Sequence, residues 1–262
     1  LNHFIEIGYS TTTGDYWLTV HTGSRNFGLK IANYHQKQAV IKLKKRRESV
    51  VKDKLKAAQA TGLEPRDIAG WLKVEYAKIP ATHRGLEYLE GEDALEYYWD
   101  MLLAQKFAQL NRQIILDNIL KVIGTPVYKE ERKMVESVHN YIDFNDMIVR
   151  KGAISSYIGQ LMVIPFNMRD GILICEGKSN EAWNYSAPHG AGRVLSRSAA
   201  NRILDLETFK NQMEGICSSS VVKSTLDESP DAYKDPKIIE AAIAPTATIV
   251  DRLKPVLNIK AT

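Results

Sequence analysis

Hydrophobic and polar positions change their period several times along this chain, and each change predicts an element. Phe4-Ile5-Glu6-Ile7 and Tyr16-Trp17-Leu18-Thr19-Val20 are short runs rich in aromatic and β-branched residues. They predict two strands joined through the turn Thr11-Thr12-Thr13-Gly14-Asp15. From about Leu29 to Ala60 the apolar residues Ile31, Tyr34, Ile41, Leu43, Val50, Leu55 and Ala58 recur at helical spacing, which predicts one long helix. Gly and Pro punctuate residues 61–91, so this stretch reads as connector with short elements. A second long helix is expected from about Glu92 to Ile123, with Leu95, Tyr98, Leu102, Phe107, Leu110, Ile114 and Leu120 on its apolar stripe. Strands are then expected over Val135–Phe144, Gln160–Ile164 and Ile172–Cys175. A helix follows over about Ser198–Met213, capped by Ser196 or Ser198, and another over about Pro236–Ala244 after a loop at 218–236. Long helices and strands without regular βα alternation predict the α+β class rather than a doubly wound sheet.

Composition narrows the field only a little. Hydrophobic residues make up 44% and charged residues 25% of the 262 positions, which excludes a fibrous or disordered chain. Apolar runs such as Leu161–Phe166 are too short to cross a bilayer, so no membrane role is expected. Two cysteines, Cys175 and Cys217, make no disulfide framework, and a reducing, cytoplasmic location is the expectation. The net charge of +4 permits a polyanionic partner without requiring one. Lys42, Lys44, Lys45, Arg46, Arg47, Lys52, Lys54 and Lys56 share the polar side of the first long helix. They suit either an RNA backbone or plain solvation of a helix that also carries Glu48 and Asp53.

Chemistry concentrates in the histidines. His35 and His83 have no supporting pattern and read as structural. His3, His21, His139 and His189 sit at strand ends or in the loops just beyond, where sites are commonly built. Neutral imidazoles that converge can hold a borderline divalent metal, although the spacing matches no zinc signature. The sharpest segment is His189-Gly190-Ala191-Gly192-Arg193-Val194-Leu195-Ser196-Arg197. Its glycines allow close backbone approach and a phosphate cradle, with a histidine beside it able to attack phosphorus. An ordinary glycine turn before a helix remains the alternative. If the helix starts within the segment, Arg193 and Arg197 share a face.

Five blocks occur in order: Asn2-His-Phe-Ile-Glu6, His21-Thr-Gly-Ser-Arg25, Ser137-Val-His-Asn140, Arg150-Lys-Gly-Ala153 and Ser186-Ala-Pro-His-Gly-Ala-Gly-Arg-Val-Leu-Ser-Arg197. Together they resemble the RtcB family of RNA-splicing ligases, over nearly the whole chain. The resemblance implies a GTP- and Mn²⁺-dependent enzyme with a two-metal site. Such an enzyme joins RNA ends bearing a 3′-phosphate or 2′,3′-cyclic phosphate to 5′-hydroxyl ends, in tRNA splicing or RNA repair. It implies that His189 carries GMP, and that His3, His21 and His139 ligate metal. Guanylate contacts carry over to Asn2, Phe4, Glu6, Asn140, Pro165-Phe166-Asn167-Met168, Gly190, Ala191, Gly192, Tyr233 and Lys260. Arg25, Arg193 and Arg197 are the expected RNA-phosphate contacts. Expected partners are cleaved RNA ends and GTP, with any activating protein left open. The domain expected is one RtcB-like catalytic domain over 1–262, N-terminally truncated, with a helical insertion at about 29–125.

Two departures accompany the resemblance. The family's Asp-x-Gly-Cys-like block, which supplies further metal ligands, has no counterpart here, and the opening Leu1-Asn2-His3 suggests a piece of a longer protein. Phe166 follows Pro165 where many relatives have Gly, and Ile172 stands where a Ser is common. The competing readings are therefore a non-catalytic nucleotide- or RNA-binding fragment and a phosphotransfer enzyme of altered substrate.

Overall fold

The computed structural model describes residues 3–79, 85–124 and 134–260. The chain divides into two compact units, Leu1–Thr22 with Ile114–Thr262, and Gly23–Gln113.

The first unit is organised by a five-stranded antiparallel sheet. Its strands are β1 (Phe4–Ser10), β2 (Tyr16–His21), β6 (Leu161–Pro165), β7 (Ile172–Gly177) and β9 (Ala247–Lys260), in the order β2-β1-β9-β7-β6. Two short ladders lie between β2 and β9 in sequence. Strand β3 (Tyr141–Asp143) pairs with β4 (Ile148–Arg150), and β5 (Ala153–Ser155) with β8 (Ser186–Pro188). The tail expected from Val250 is thus the 14-residue central strand β9, hydrogen-bonded to both β1 and β7.

Alternation along the strands assigns the two faces of the sheet. Met162, Ile164, Leu173 and Cys175 point to one core with Phe166, Ile239 and Ile243. Ile172, Ile174 and Leu253 point to the other, where Phe4, Trp17 and Val163 pack. Strand β7 is buried on both faces, which explains why its sequence reads as a continuous apolar run. Ile172 is therefore a core residue in this chain.

Helices α4 (Arg197–Ile203), α5 (Leu206–Gln212) and α6 (Pro236–Ile243) complete this unit. The single helix expected over Ser198–Met213 is broken, because Asp205 adopts an extended conformation and caps α5 by accepting from the Thr208 amide at 2.8 Å. Ser196 caps α4 in the same way. The strand expected over Val135–Phe144 shrinks to β3, and the loop at 218–236 contains 3₁₀ turns over Lys223–Glu228 and Pro230–Ala232.

The second unit contains α1 (Arg25–Ala60), α2 (Ile68–Lys78) and most of α3 (Glu92–Ile123). The buried residues of α1 are His35, Ala39 and Val51, and those of α3 are Ala104 and Ala108. Several of the larger apolar residues of the expected stripe, including Leu95, Phe107 and Leu110, are exposed instead. Small residues set the seam. A Cβ on Gly28 would stand 3.8 Å from that of Ala104. Several cations of α1 are spent internally: Lys42 pairs with Asp93 at 2.8 Å, Lys54 with Glu75 at 2.9 Å, and Arg46 with Glu90. That outcome favours the solvated-helix reading at those positions. His35 is a buried structural histidine, its Nε2 2.8 Å from Asp100 Oδ2. His83 lies outside the described residues.

Candidate active site

The register of the large sheet gathers one end of β1, β2 and β9. Phe4 is paired with His21 on one side and with Lys260 on the other. Residues 256 positions apart in sequence thereby become neighbours, and Lys260 Nζ lies 5.3 Å from the centre of the Phe4 ring.

A chain of imidazoles extends from this edge. The rings of His21 and His139 are 5.4 Å apart, and those of His139 and His189 are 4.7 Å apart. His21 is pushed down to about 4, first by burial, then by His139, His189, His3 and Lys260. Burial makes charging this imidazole costly, so His21 is neutral at pH 7. The Nε2 atoms of His21 and His139 face each other at 3.4 Å. Two lone pairs directed tetrahedrally at a cation ~2.1 Å away would be separated by about 3.4 Å, so this pair fits a divalent metal. Among the described residues, however, no three His, Cys, Asp or Glu side chains are grouped to hold an ion. Cys175 is buried in the core, its thiol pushed up to about 11 by that burial, and Cys217 is exposed.

His189 follows β8 and is held by backbone. Its Nδ1 lies 2.6 Å from the Gly152 carbonyl oxygen. A carbonyl only accepts, so Nδ1 must carry the proton and Nε2 keeps its lone pair. The loop after His189 approaches backbone closely. Ala191 N–H donates to the Pro165 carbonyl at 3.1 Å, and a Cβ on Gly190 would meet that oxygen at 2.9 Å. Gly192, at φ +70°, completes the turn, and its carbonyl accepts from Lys234 N–H at 3.1 Å.

Glu6, on β1, is buried and accepts from Asn258 Nδ2 at 2.6 Å. Burial drives its carboxyl up to about 7, against the pull of Asn258 and Lys260. Its Oε1 has no hydrogen-bond partner among the described residues. Lys260 is buried too, pairing with Glu228 at 2.5 Å, and Ser220 Oγ pins its backbone by accepting from its N–H and donating to its carbonyl.

Glu228 is the hub of a network that sequence reading missed. Tyr233 Oη donates to it at 2.6 Å, and Arg193 and Arg197 each approach it at 3.4 Å. Burial raises the Glu228 carboxyl, but Lys260, Tyr233 and Arg193 more than reverse this and hold it below its usual range. Arg197 also pairs with Asp227 at 2.6 Å, and Arg193 donates to the Asp227 carbonyl. The two arginines do not share a helix face: Arg193 precedes α4 in a bridge to Tyr233, and only Arg197 opens the helix. Adjacent acids Asp227-Glu228 were the only signal, and they read as ordinary loop.

Phe166 and Met168 are buried in core clusters, and Asn167 closes its own turn by accepting from the amides of Arg169 and Asp170. Asn140 accepts from Gly152 N–H at 2.8 Å. Arg25 lies in the helical unit as the first residue of α1. Asn2 lies outside the described residues.

Comparison with known proteins supplies the context. The family profile described as tRNA-splicing ligase RtcB matches residues 2–261. The RNA-splicing ligase RtcB of Escherichia coli K12 is 29% identical over 99% of this chain and 59% of its own length. The tRNA-splicing ligases RtcB of Aeropyrum pernix and Thermococcus kodakarensis are 26% and 24% identical, each over 97% of this chain and 57% of their own length. The chain therefore spans about three-fifths of the length of the curated relatives it matches. No helix among the described residues is long and apolar enough to cross a membrane.

Proposed function

The chain belongs to the RtcB family, and from that premise we propose that it carries the nucleotide-transfer centre of a GTP-dependent RNA ligase, with His189 as the residue that accepts GMP. The observation that carries this reading is the proton placement on His189. The Gly152 carbonyl holds the proton at Nδ1, which leaves Nε2 as a nucleophile before any base has acted. The Nε2 lone pair attacks the α-phosphorus of GTP, the bond to the bridging oxygen breaks, and pyrophosphate departs. GMP then passes to an RNA 3′-phosphate, and a 5′-hydroxyl displaces it to form the phosphodiester. Ends that arrive as 2′,3′-cyclic phosphates are first opened by water.

Glu6 supports guanine as the base. A buried carboxylate oxygen with no partner calls for an N–H donor. Guanine offers two such donors on one edge, at N1 and the 2-amino group, whereas adenine presents an acceptor at N1. Phe4 provides an apolar ring beside the Lys260 ammonium, suited to an aromatic base. Arg193 and Arg197 would engage RNA phosphates by exchanging part of their bonding to Asp227 and Glu228. His21 and His139, with His3 near them electrostatically, would hold Mn²⁺. When bound, the metal would neutralise charge on the triphosphate and favour pyrophosphate departure.

The test is covalent labelling. Incubation with Mn²⁺ and α-labelled GTP should give an acid-labile, base-stable protein–GMP adduct that maps to His189 and is absent from His189→Ala. Labelling that survives His189→Ala would overturn the assignment. The incomplete donor set among the described residues favours a second reading, a nucleotide-binding chain that does not itself ligate. Saturable GTP binding with no adduct at any Mn²⁺ concentration would select it.

A further inference from the structure

We propose that Asn140 is a positioning residue for His189, acting through Gly152 to keep Nε2 unprotonated. This inference rests on the reading that His189 attacks through Nε2. Three residues far apart in sequence stand just beyond the ends of the two short ladders. Tyr141 pairs with Arg150, which brings Asn140 beside the 151–152 turn. Ala153 pairs with Pro188, which brings His189 beside the same turn. Gly152 is thus held from both sides. Its N–H donates to Asn140 Oδ1 at 2.8 Å, and its carbonyl accepts the His189 proton at 2.6 Å.

The backbone of both residues shows that this is a built arrangement. Asn140 has φ +63° and Gly152 has φ +66°, the left-handed region that Asn tolerates and Gly occupies freely. A Cβ on Gly152 would lie 3.5 Å from the His189 ring, an ordinary contact, so φ rather than space demands glycine there. The two ladders are also clamped together. Arg150, fully buried, pairs with Asp143 at 2.8 Å and Asp146 at 2.9 Å, and its Nε donates to Ser186 Oγ at 3.0 Å on β8. With the β5 ladder fixed on one side, the Asn140 bond to the Gly152 amide leaves the turn one orientation. That orientation aims the carbonyl at Nδ1. Without it the imidazole would be free to move its proton to Nε2, the nitrogen needed for attack.

Tautomers are read directly by long-range ¹H–¹⁵N correlation of the full chain, labelled on histidine, without nucleotide, at a pH where imidazoles are neutral. His189 is assigned as the signal missing from His189→Gln. The wild type should show a pyrrole-like Nδ1 and a pyridine-like Nε2. Asn140→Gly keeps the left-handed backbone and removes the acceptor, so His189 alone should convert to mainly the Nε2–H form. Asn140→Asp keeps an acceptor at the same place and should restore the wild-type pattern. Asn140 is exposed, and unchanged signals from the remaining histidines certify that each variant is folded. A wild-type pattern in Asn140→Gly, or an Nε2–H tautomer in the wild type, would overturn the inference. The readout needs no GTP, so the expected tautomer shift without adduct formation would sink the nucleotide reading alone. An adduct with no tautomer shift would sink only this inference.

Discussion

Replacing Glu6 by Gln should stabilise the protein, and by an amount that grows with pH. Glu6 is 1% exposed, and burial carries its carboxyl from an unfolded-state value of 4.5 to about 7. Between those values the native state holds a proton that the unfolded chain has released, so native stability falls as pH rises through the window. The penalty is about 1 kcal/mol at about pH 5 and about 3 kcal/mol at about pH 8. Gln cannot ionise and carries none of it. Its own packing and hydrogen-bonding differences are nearly independent of pH, and they cancel when the two conditions are compared. Glu6→Gln should therefore gain roughly 2–3 kcal/mol relative to wild type on going from the lower to the higher pH. Urea unfolding of both proteins at the two pH values, with matching slopes, measures this. A difference between the proteins that is the same at both pH values would show that the carboxylate is not penalised by burial. It would also remove the reason for expecting Glu6 to seek a donor on a ligand.

Three further outcomes follow from packing and charge. Arg150→Met leaves Asp143 and Asp146 without their buried partner and should cost about 3–5 kcal/mol in urea unfolding; a loss under ~1 kcal/mol would mean that water reaches those carboxylates. Gly171→Ala places a Cβ 2.1 Å from the Leu253 carbonyl oxygen at φ +73°, so a loss above about 2 kcal/mol is expected, and a near-neutral result would refute the close approach of this turn to β9. His21→Ala and His139→Ala should each weaken Mn²⁺ binding by about tenfold or more in calorimetric titration; equal affinity in wild type and both variants would remove the pair from the metal site.

Local pattern carried much of this protein. The strands Phe4–Ser10 and Tyr16–His21 and the helix Glu92–Ile123 were legible because period and side-chain shape are properties of short segments. The five ordered blocks were enough to name the family, which the profile match over residues 2–261 shows. Helix faces were less legible. The buried positions of α1 and α3 include Ala39, Ala104 and Ala108, small residues with weak hydrophobic signal, while large apolar residues that drew attention, such as Leu95 and Leu110, are exposed. Only tertiary structure decided the site. Strand register set Phe4 between His21 and Lys260, and two three-residue ladders brought Asn140, Gly152 and His189 together. It also decided that Arg193 and Arg197 lean on Asp227 and Glu228, a loop with no pattern of its own. The physical reason is the same in each case. Periodicity records which side of a segment is buried, whereas a proton on Nδ1, a carboxyl near 7 or an engaged guanidinium depends on atoms from distant segments. Those atoms meet only in the folded chain.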